Sequence, residues 1–122
     1  NVVKCRPPGN RDPEQPEIEA CSKYLERQIE AVDPKVIITL GRFSMARYFP
    51  DARISRIHGQ PAELDGRLIV PMYHPAAALH QPSLRETVQA DFAMLPGLIE
   101  GKTPVQEIEE DTPSDPEQLS LF

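Results

Sequence analysis

The sequence has 122 residues, which is room for one domain at most. Its net charge is −6, from 13 lysines and arginines against 19 aspartates and glutamates, and no apolar run approaches the roughly 20 residues that a membrane helix needs. We therefore exclude a membrane protein and, since no signal peptide is recognisable, expect a soluble cytoplasmic monomer.

Acidic residues are concentrated at the end of the chain. Residues 100–122 carry seven acidic residues and one lysine, so residues 1–99 are neutral overall. Three cations of this neutral part, Lys4, Arg6 and Arg11, lie on one loop, as contacts to phosphates require. The overall negative charge therefore does not exclude a nucleic-acid partner.

The chain begins within a predicted strand. Val2 and Val3 are typical of the end of a buried strand, and a polar loop rich in Pro and Gly follows them. Ligands of α/β sheets are held just past the carboxyl ends of strands, so we expect this loop to line an active site. Because the chain lacks an initiator methionine and starts in mid-strand, we expect it to be the carboxyl-terminal portion of a longer protein.

A long helix follows, and then a short strand. Apolar residues at spacings of three and four predict the helix, with Pro16 near its start and Asp33-Pro34 at its end. The β-branched run Val36–Leu40 predicts a buried parallel strand, and Arg42–Phe49 predicts a short helix. The apolar stripe of the long helix consists of Ile18, Cys21, Leu25, Ile29 and Val32.

Two further strands and a helix complete the predicted elements. Ile54–Ile57 and Leu68–Val70 have strand-like composition, and Asp65-Gly66 between them predicts a tight turn. Ser83–Glu86 matches a capping box at the start of a final helix, which we expect to end at Pro96-Gly97. Because strands alternate with helices, we predict a parallel sheet with helices on both faces. The apolar face of the final helix is predicted to hold Leu84, Val88, Phe92 and Leu95.

The last part of the sequence, residues 100–122, is acidic and nearly free of aromatic residues. Such a segment cannot bury enough apolar surface to offset its ordering entropy, so we expect a flexible tail after a domain of residues 1–99. The tail ends in apolar residues that are either incidental to a disordered terminus or a binding segment.

Two cysteines are present, Cys5 on the loop and Cys21 on the first turns of the long helix. The residues alone leave three interpretations open: buried free thiols, a disulfide, or half of a zinc site completed by histidines such as His58 or His80. Disulfides are rare in cytoplasmic proteins, and zinc sites usually contain closely spaced cysteine pairs, which this sequence lacks.

Two segments resemble one enzyme family. The string N-V-V-K-C-R-P-P-x-N-R-x-P that starts at Asn1, with E-I-x-x-C ending at Cys21, is similar to a segment of the iron–sulfur, type-4 uracil-DNA glycosylases, and His74-Pro75-Ala76 is similar to a later motif of that family. The resemblance implies a three-layer α/β/α sandwich with a central, mainly parallel sheet, truncated at its N-terminal half.

The resemblance also implies an activity, the hydrolysis of the N-glycosidic bond of uracil in DNA during base-excision repair. Asn1 matches the residue that reads the Watson–Crick edge of an extruded uracil. His74 matches the catalytic histidine, which donates a hydrogen bond to uracil O2 as charge develops there. A water-activating acid and an aromatic residue that stacks on uracil are expected upstream, so the fragment alone is expected to be inactive.

The same resemblance implies a [4Fe–4S] cluster, with Cys5 and Cys21 as two of its four thiolate ligands and the other two upstream. We expect the cluster to be structural, because cleavage of a glycosidic bond needs no electron transfer. The cations Lys4, Arg6 and Arg11 are expected to contact DNA phosphates beside it.

The loop after His74 is expected to enter the DNA minor groove, with Leu79 as the wedge. The family commonly has an Arg-Asn-Pro triplet here, whereas this chain has His80-Gln81-Pro82. A histidine in place of the arginine weakens a phosphate contact and makes it pH-dependent.

The end of the tail resembles the bacterial sliding-clamp-binding motif, in which a few side chains insert into a pocket: Gln118, Leu119, Leu121 and Phe122. Two alternative functions remain open. One is a non-catalytic iron–sulfur DNA-binding or scaffold protein of the same fold, and the other is a zinc-binding module, which would be colourless rather than brown.

Overall fold

The computed structural model describes residues 1–102, which fall into two compact units, residues 1–34 and the residues from 35 onward. Nearly all of the predicted flexible tail, including its apolar end, lies outside the described residues.

The first unit is built on one long helix, α1 (Gln15–Val32), which a 3-10 turn at Pro8–Asn10 precedes. A capping box starts α1: the Glu14 side chain accepts a hydrogen bond from the backbone N–H of Glu17, and the Glu14 N–H donates to the Glu17 carboxylate at 2.8 Å. The helix ends where Asp33 adopts a left-handed conformation with φ of +47°. The predicted helix and its end are confirmed.

Three strands form the sheet in the described part of the second unit: β1 (Val36–Leu40), β2 (Ala62–Leu64) and β3 (Arg67–Met72). Their order is β1-β3-β2, with β1 parallel and β2 antiparallel to β3, so the sheet is mixed. Asp65 and Gly66 form the turn between β2 and β3, with φ of +51° and +74°. The predicted strands at β1 and β3 and the tight turn are confirmed. The predicted burial of β1 is wrong, because β1 lies at the edge of the sheet in the described residues and its Ile38 and Leu40 are exposed.

Helices cover both faces of this sheet. Alternate residues of β3 face opposite sides: Ile69 packs in a cluster with Met45 and Ile57, whereas Val70 packs in a cluster with Leu95. This gives the second unit three layers, as predicted. None of the helices in residues 1–102 is long and apolar enough to cross a bilayer. The helices of this unit are α2 (Arg42–Ala46), α3 (Ile54–Ile57), α4 (Ala77–His80) and α5 (Arg85–Ile99), with a 3-10 turn (Pro82–Leu84) before α5.

The segment at α3 is a helix, so the strand predicted there is wrong. The N–H groups of Arg56 and Ile57 donate to the Arg53 carbonyl at 3.0 and 3.2 Å and close a single turn. That turn brings Ile54 and Ile57, three positions apart, to the same apolar cluster. The strand that precedes the Asp65-Gly66 turn and pairs antiparallel with β3 is β2 instead. The β-branched composition was misleading because tertiary packing overrides strand propensity.

The ends of two helices also differ from the prediction. α2 ends at Ala46, three residues early. At the start of α5, Leu84 already has helical dihedrals (φ −79°, ψ −8°) because the 3-10 turn runs straight into the helix, and no side chain caps it. The capping box predicted at Ser83 is therefore wrong. α5 also passes through Pro96 and ends at Ile99, beyond the predicted end.

Candidate functional site

The loop that carries Cys5 lies against α1. The backbone N–H of Lys4 donates to Cys21 Sγ at 3.4 Å, and Lys4 Nζ donates to Gln28 Oε1 at 2.6 Å. Both cysteines are free thiols, Cys5 exposed and Cys21 half-buried, so the disulfide interpretation is wrong. The residue directly before Cys5 thus contacts Cys21, the other predicted metal ligand.

Arg11 fastens the end of this loop to the helix. Its guanidinium donates to both carboxylate oxygens of Glu17, at 2.9 and 2.6 Å, the two-pronged geometry that favours arginine–carboxylate pairs. The Arg11 hydrogen bond, followed by the Glu14 N–H, lowers the pKa of Glu17 to about 2. The same contact raises the pKa of Arg11. The predicted phosphate ligand Arg11 thus has a structural contact that the sequence did not indicate.

The other loop cations also have partners within the first unit. Arg6 Nε donates to Asn10 Oδ1, and Lys4 reaches Gln28 on α1. Asn1 is exposed at the start of the same unit. These contacts set the shape of the loop, and the phosphate contacts assigned to the cations remain predictions.

The two cysteines do not make a complete metal site. No group of three or more His, Cys, Asp or Glu side chains in residues 1–102 is arranged to hold a metal ion. The interpretation of a zinc site completed by His58 or His80 therefore finds no support in this part of the chain.

His74 lies just beyond the carboxyl end of β3. Its Nδ1 accepts a hydrogen bond from the backbone N–H of Ala76 at 3.1 Å, and its carbonyl accepts one from the N–H of Ala77 at 2.9 Å. A ring nitrogen that accepts an N–H carries no proton, so the ring proton lies on Nε2. His74 is exposed. It therefore presents a hydrogen-bond donor whose tautomer is set by its own backbone turn.

The short helix α4 follows this histidine. Ala77 is buried and anchors α4, whereas Leu79 is 82% exposed. His80, the last residue of α4, is exposed as well. The predicted wedge and the predicted phosphate ligand therefore both reach the surface of the second unit.

The structure brings together three side chains that the sequence analysis did not connect. Asp91 of α5 lies 2.7 Å from His58 Nδ1, and the rings of His58 and Tyr73 have centroids 4.9 Å apart. Burial, followed by the charge of Asp91, raises the pKa of Tyr73. One signal was available: Asp91 lies three residues after Val88 and four before Leu95, on the apolar face of the final helix.

The fold and these motifs define a class of protein. Residues 1–94 match the family model of the uracil DNA glycosylase superfamily. This match covers most of the chain, which therefore belongs to the uracil DNA glycosylase superfamily. The family and the α/β fold class predicted from the motifs are confirmed.

Several relatives with identities above 40% are type-4 enzymes of this superfamily. The chain is 46% identical over 101 residues to the type-4 uracil-DNA glycosylase of Sulfurisphaera tokodaii, a match that covers 75% of this chain and 46% of the relative. The identity is 48% to the type-4 enzyme of Saccharolobus solfataricus, over 75% of this chain and 47% of the relative. It is 43% to that of Archaeoglobus fulgidus, over 85% and 57%. The chain spans about half the length of the curated relatives it matches.

Proposed function

We propose that this protein acts as a type-4 uracil-DNA glycosylase, which hydrolyses the N-glycosidic bond of uracil in DNA during base-excision repair. Superfamily membership and the identities to type-4 enzymes support this activity. The observation that carries it is the hydrogen bond from the Ala76 N–H to His74 Nδ1, which leaves a fixed Nε2–H donor at the end of β3. Such a preorganised donor is what a departing uracil oxygen requires.

In this proposal, His74 stabilises the leaving base. The electron pair of the C–N bond departs with uracil, and negative charge develops on uracil O2, to which His74 Nε2–H donates. A water molecule then supplies the hydroxyl group to the sugar and a proton to the base. His74 keeps its own proton throughout, so it acts as an electrostatic donor and not as a general acid.

Asn1 is the proposed reader of the base. An asparagine side chain offers an acceptor to uracil N3–H and a donor to O4, whereas cytosine presents the reverse pattern at these positions. Support comes from the position of Asn1 directly before Val2-Val3 and the cysteine loop, within the residues that match the superfamily.

Replacement of the proposed donor tests the function. In the full-length protein, His74→Ala should lower the single-turnover rate of uracil release by a factor on the order of 10²–10³, because one transition-state donor is lost. Binding of uracil-containing duplex should change little. Ser83→Ala, at an exposed position that caps no helix, is the matched control.

Two outcomes would contradict the proposal. A full rate in His74→Ala would remove the assignment of this residue. A wild-type protein that binds the duplex but releases no uracil would instead indicate a non-catalytic DNA-binding protein of the same fold.

We further propose that Cys5 and Cys21 supply two thiolate ligands of a [4Fe–4S] cluster, as the family resemblance implies. Their chemistry fits, since both are free thiols and soft sulfur ligands suit iron–sulfur clusters. The Lys4 N–H directed at Cys21 Sγ is the kind of hydrogen bond that stabilises a ligating sulfur. The sequence has only two cysteines, so the other two ligands must come from outside it. When bound, such a cluster would cross-link the loop to α1.

Each unit has its own proposed contacts to DNA. Lys4, Arg6 and Arg11 would contact phosphates, and the exposed side chain of Leu79 would enter the minor groove. His80 would make the adjacent phosphate contact, which protonation of its ring would strengthen.

The end of the chain is the proposed binding segment for a sliding clamp. Its support is the sequence alone, because these residues lie outside the described part of the chain. A clamp that encircles DNA would keep the enzyme close to its substrate through the acidic tail. We also propose that the protein acts as a monomer in the cytoplasm. The residues proposed to bind the clamp are Gln118, Leu119, Leu121 and Phe122.

A further inference from the structure

The two residues after α3 are His58, which is hydrogen-bonded to α3, and Gly59, which is hydrogen-bonded to the end of β3. The His58 N–H donates to the Ile54 carbonyl at 3.0 Å, and the Gly59 N–H donates to the Pro71 carbonyl at 2.8 Å. Pro71 is fully buried and lies three residues before His74. The backbone around His58 is therefore tied to the strand that carries the proposed catalytic histidine.

Asp91 holds the ring of His58. Its carboxylate lies 2.7 Å from His58 Nδ1, and the residue is only 8% exposed. An ionised carboxylate only accepts hydrogen bonds, so in this contact the His58 Nδ1–H group donates a hydrogen bond to Asp91 Oδ2. A buried carboxylate needs such a partner, because desolvation without one is costly.

Gly59 makes this close approach possible. A Cβ atom at residue 59 would lie 2.6 Å from Asp91 Oδ1, closer than packed atoms can come. The residue also has φ of +72°, which disfavours any other side chain. The absence of a side chain at Gly59 thus leaves room for the Asp91 carboxylate beside His58.

The ring of His58 also packs against the ring of Tyr73. The two rings have centroids 4.9 Å apart and an interplanar angle of 39°, a tilted packing typical of aromatic pairs. Tyr73 directly precedes His74 in the chain. Contacts therefore run from α5 through His58 to the residue next to the proposed donor.

We propose that Asp91, His58 and Tyr73 act as positioning residues for His74, by holding the turn that aims its Nε2–H at the departing base. This inference rests on the proposed function of His74. Since a misplacement of about 1 Å can cost a large part of a catalytic rate, loss of the Asp91 charge should act on kcat. None of the three residues needs to touch the substrate.

Four variants test the contacts that run from Asp91 through His58 to Tyr73, called the relay below, in the full-length protein. Asp91→Asn keeps the shape and removes the charge. His58→Phe keeps a ring beside Tyr73 and removes the donor to Asp91. Tyr73→Ala removes the ring next to His74, and Tyr73→Phe restores it. Glu100→Gln, which breaks an exposed ion pair with Lys102, is the matched control.

The relay predicts a specific pattern of kinetics. Asp91→Asn, His58→Phe and Tyr73→Ala should each lower kcat on uracil-containing duplex by a factor on the order of 10, with KM nearly unchanged. Tyr73→Phe should recover most of the kcat that Tyr73→Ala loses. Unchanged kcat in Asp91→Asn and His58→Phe, even with lowered melting temperatures, would show that the pair is only structural and would overturn the proposal.

Nitrogen-15 NMR of the His74 ring gives a readout that does not depend on activity. The wild-type ring should show the Nε2–H form alone, and the relay variants should show a mixture of forms, because the turn that sets the tautomer loosens. If wild type releases no uracil, the proposed function fails while this spectrum still tests the relay. An identical His74 spectrum in all variants would overturn it.

Discussion

The carboxylate of Glu17 joins three parts of the first unit. It accepts two hydrogen bonds from Arg11 at the end of the cysteine loop and one from the backbone N–H of Glu14. The contact is largely exposed, and exposed ion pairs contribute little energy by themselves. Its effect is therefore geometric: it fixes where the loop ends relative to the helix that carries Cys21.

Glu17 should make the stability of the first unit acid-sensitive. Its pKa falls from 4.5 to about 2 in the folded chain, so its stabilising effect is complete above pH 4.5 and is lost as the pH falls towards 2. Urea unfolding between these pH values should show a smaller loss of stability in Glu17→Gln than in wild type. Glu30→Gln, at an exposed position of the same helix, is the control, and equal pH slopes in wild type and Glu17→Gln would disprove the assignment.

Residues that belong to a motif could be predicted as site residues from the sequence. Residues whose contacts depend on the fold could not. Cys5, Cys21 and His74 stand in recognisable strings. His58 and Asp91 are 33 positions apart, and neither belongs to a motif. Their contact exists only because α5 packs on the sheet that the His58 segment joins. The one local signal was the position of Asp91 on the predicted apolar face of the final helix.

Among the elements, the prediction was correct where the sequence pattern was either long or specific to one conformation. Helix α1 has a sustained apolar period and a clear end, and the turn at Asp65-Gly66 has a residue pair that fits its dihedrals. Both were predicted. Helix α3 has four residues, too few to distinguish a turn of helix from a strand by composition. Short elements take their form from the packing around them.

The connection between α3 and β2 should tolerate substitution far less than the turn between β2 and β3. Gly59 and Gly66 have φ of +72° and +74°, so alanine should cost about 1–2 kcal/mol at either position. Only at Gly59 does an added Cβ meet other atoms, which should add about 1–3 kcal/mol. Denaturant unfolding of Gly59→Ala and Gly66→Ala measures the difference, and equal losses would contradict the close approach of Asp91.

For the whole molecule, the negative net charge does not argue against a DNA partner, because the charge is unevenly distributed along the chain. Residues 1–99 are neutral, and the acidic excess belongs to residues 100–122. The family match ends at residue 94. A DNA-binding body with a separate acidic extension is therefore compatible with a net charge of −6.

Loss of Cys5, a proposed cluster ligand, should weaken DNA binding more than catalysis. Cys5→Ala in the full-length protein, purified anaerobically, should lose the brown colour and raise the Kd for duplex DNA more than it lowers the single-turnover rate, because the loop cations lose their support. Ser22→Ala, beside the other cysteine, should keep the colour. Unchanged affinity in a colourless Cys5→Ala protein would refute a structural role for the cluster.

The tail makes a separate prediction. A double variant, Leu121→Ala with Phe122→Ala, should abolish binding to a bacterial sliding clamp and leave uracil release from short duplexes intact, since a few inserted side chains carry such contacts. Calorimetric titration against the purified clamp measures the loss. Retained binding would rule out this segment as the anchor.

The contact between Gly59 and Asp91 also constrains how this protein can diverge over generations. A lineage that acquires a side chain at residue 59 must first, or at the same time, shorten or remove the one at residue 91. A side chain at residue 59 that arises while Asp91 is still present would give a poorly folded ancestor, because the added Cβ would meet the carboxylate. Substitutions at residues 59 and 91 should therefore be correlated among descendants of this protein.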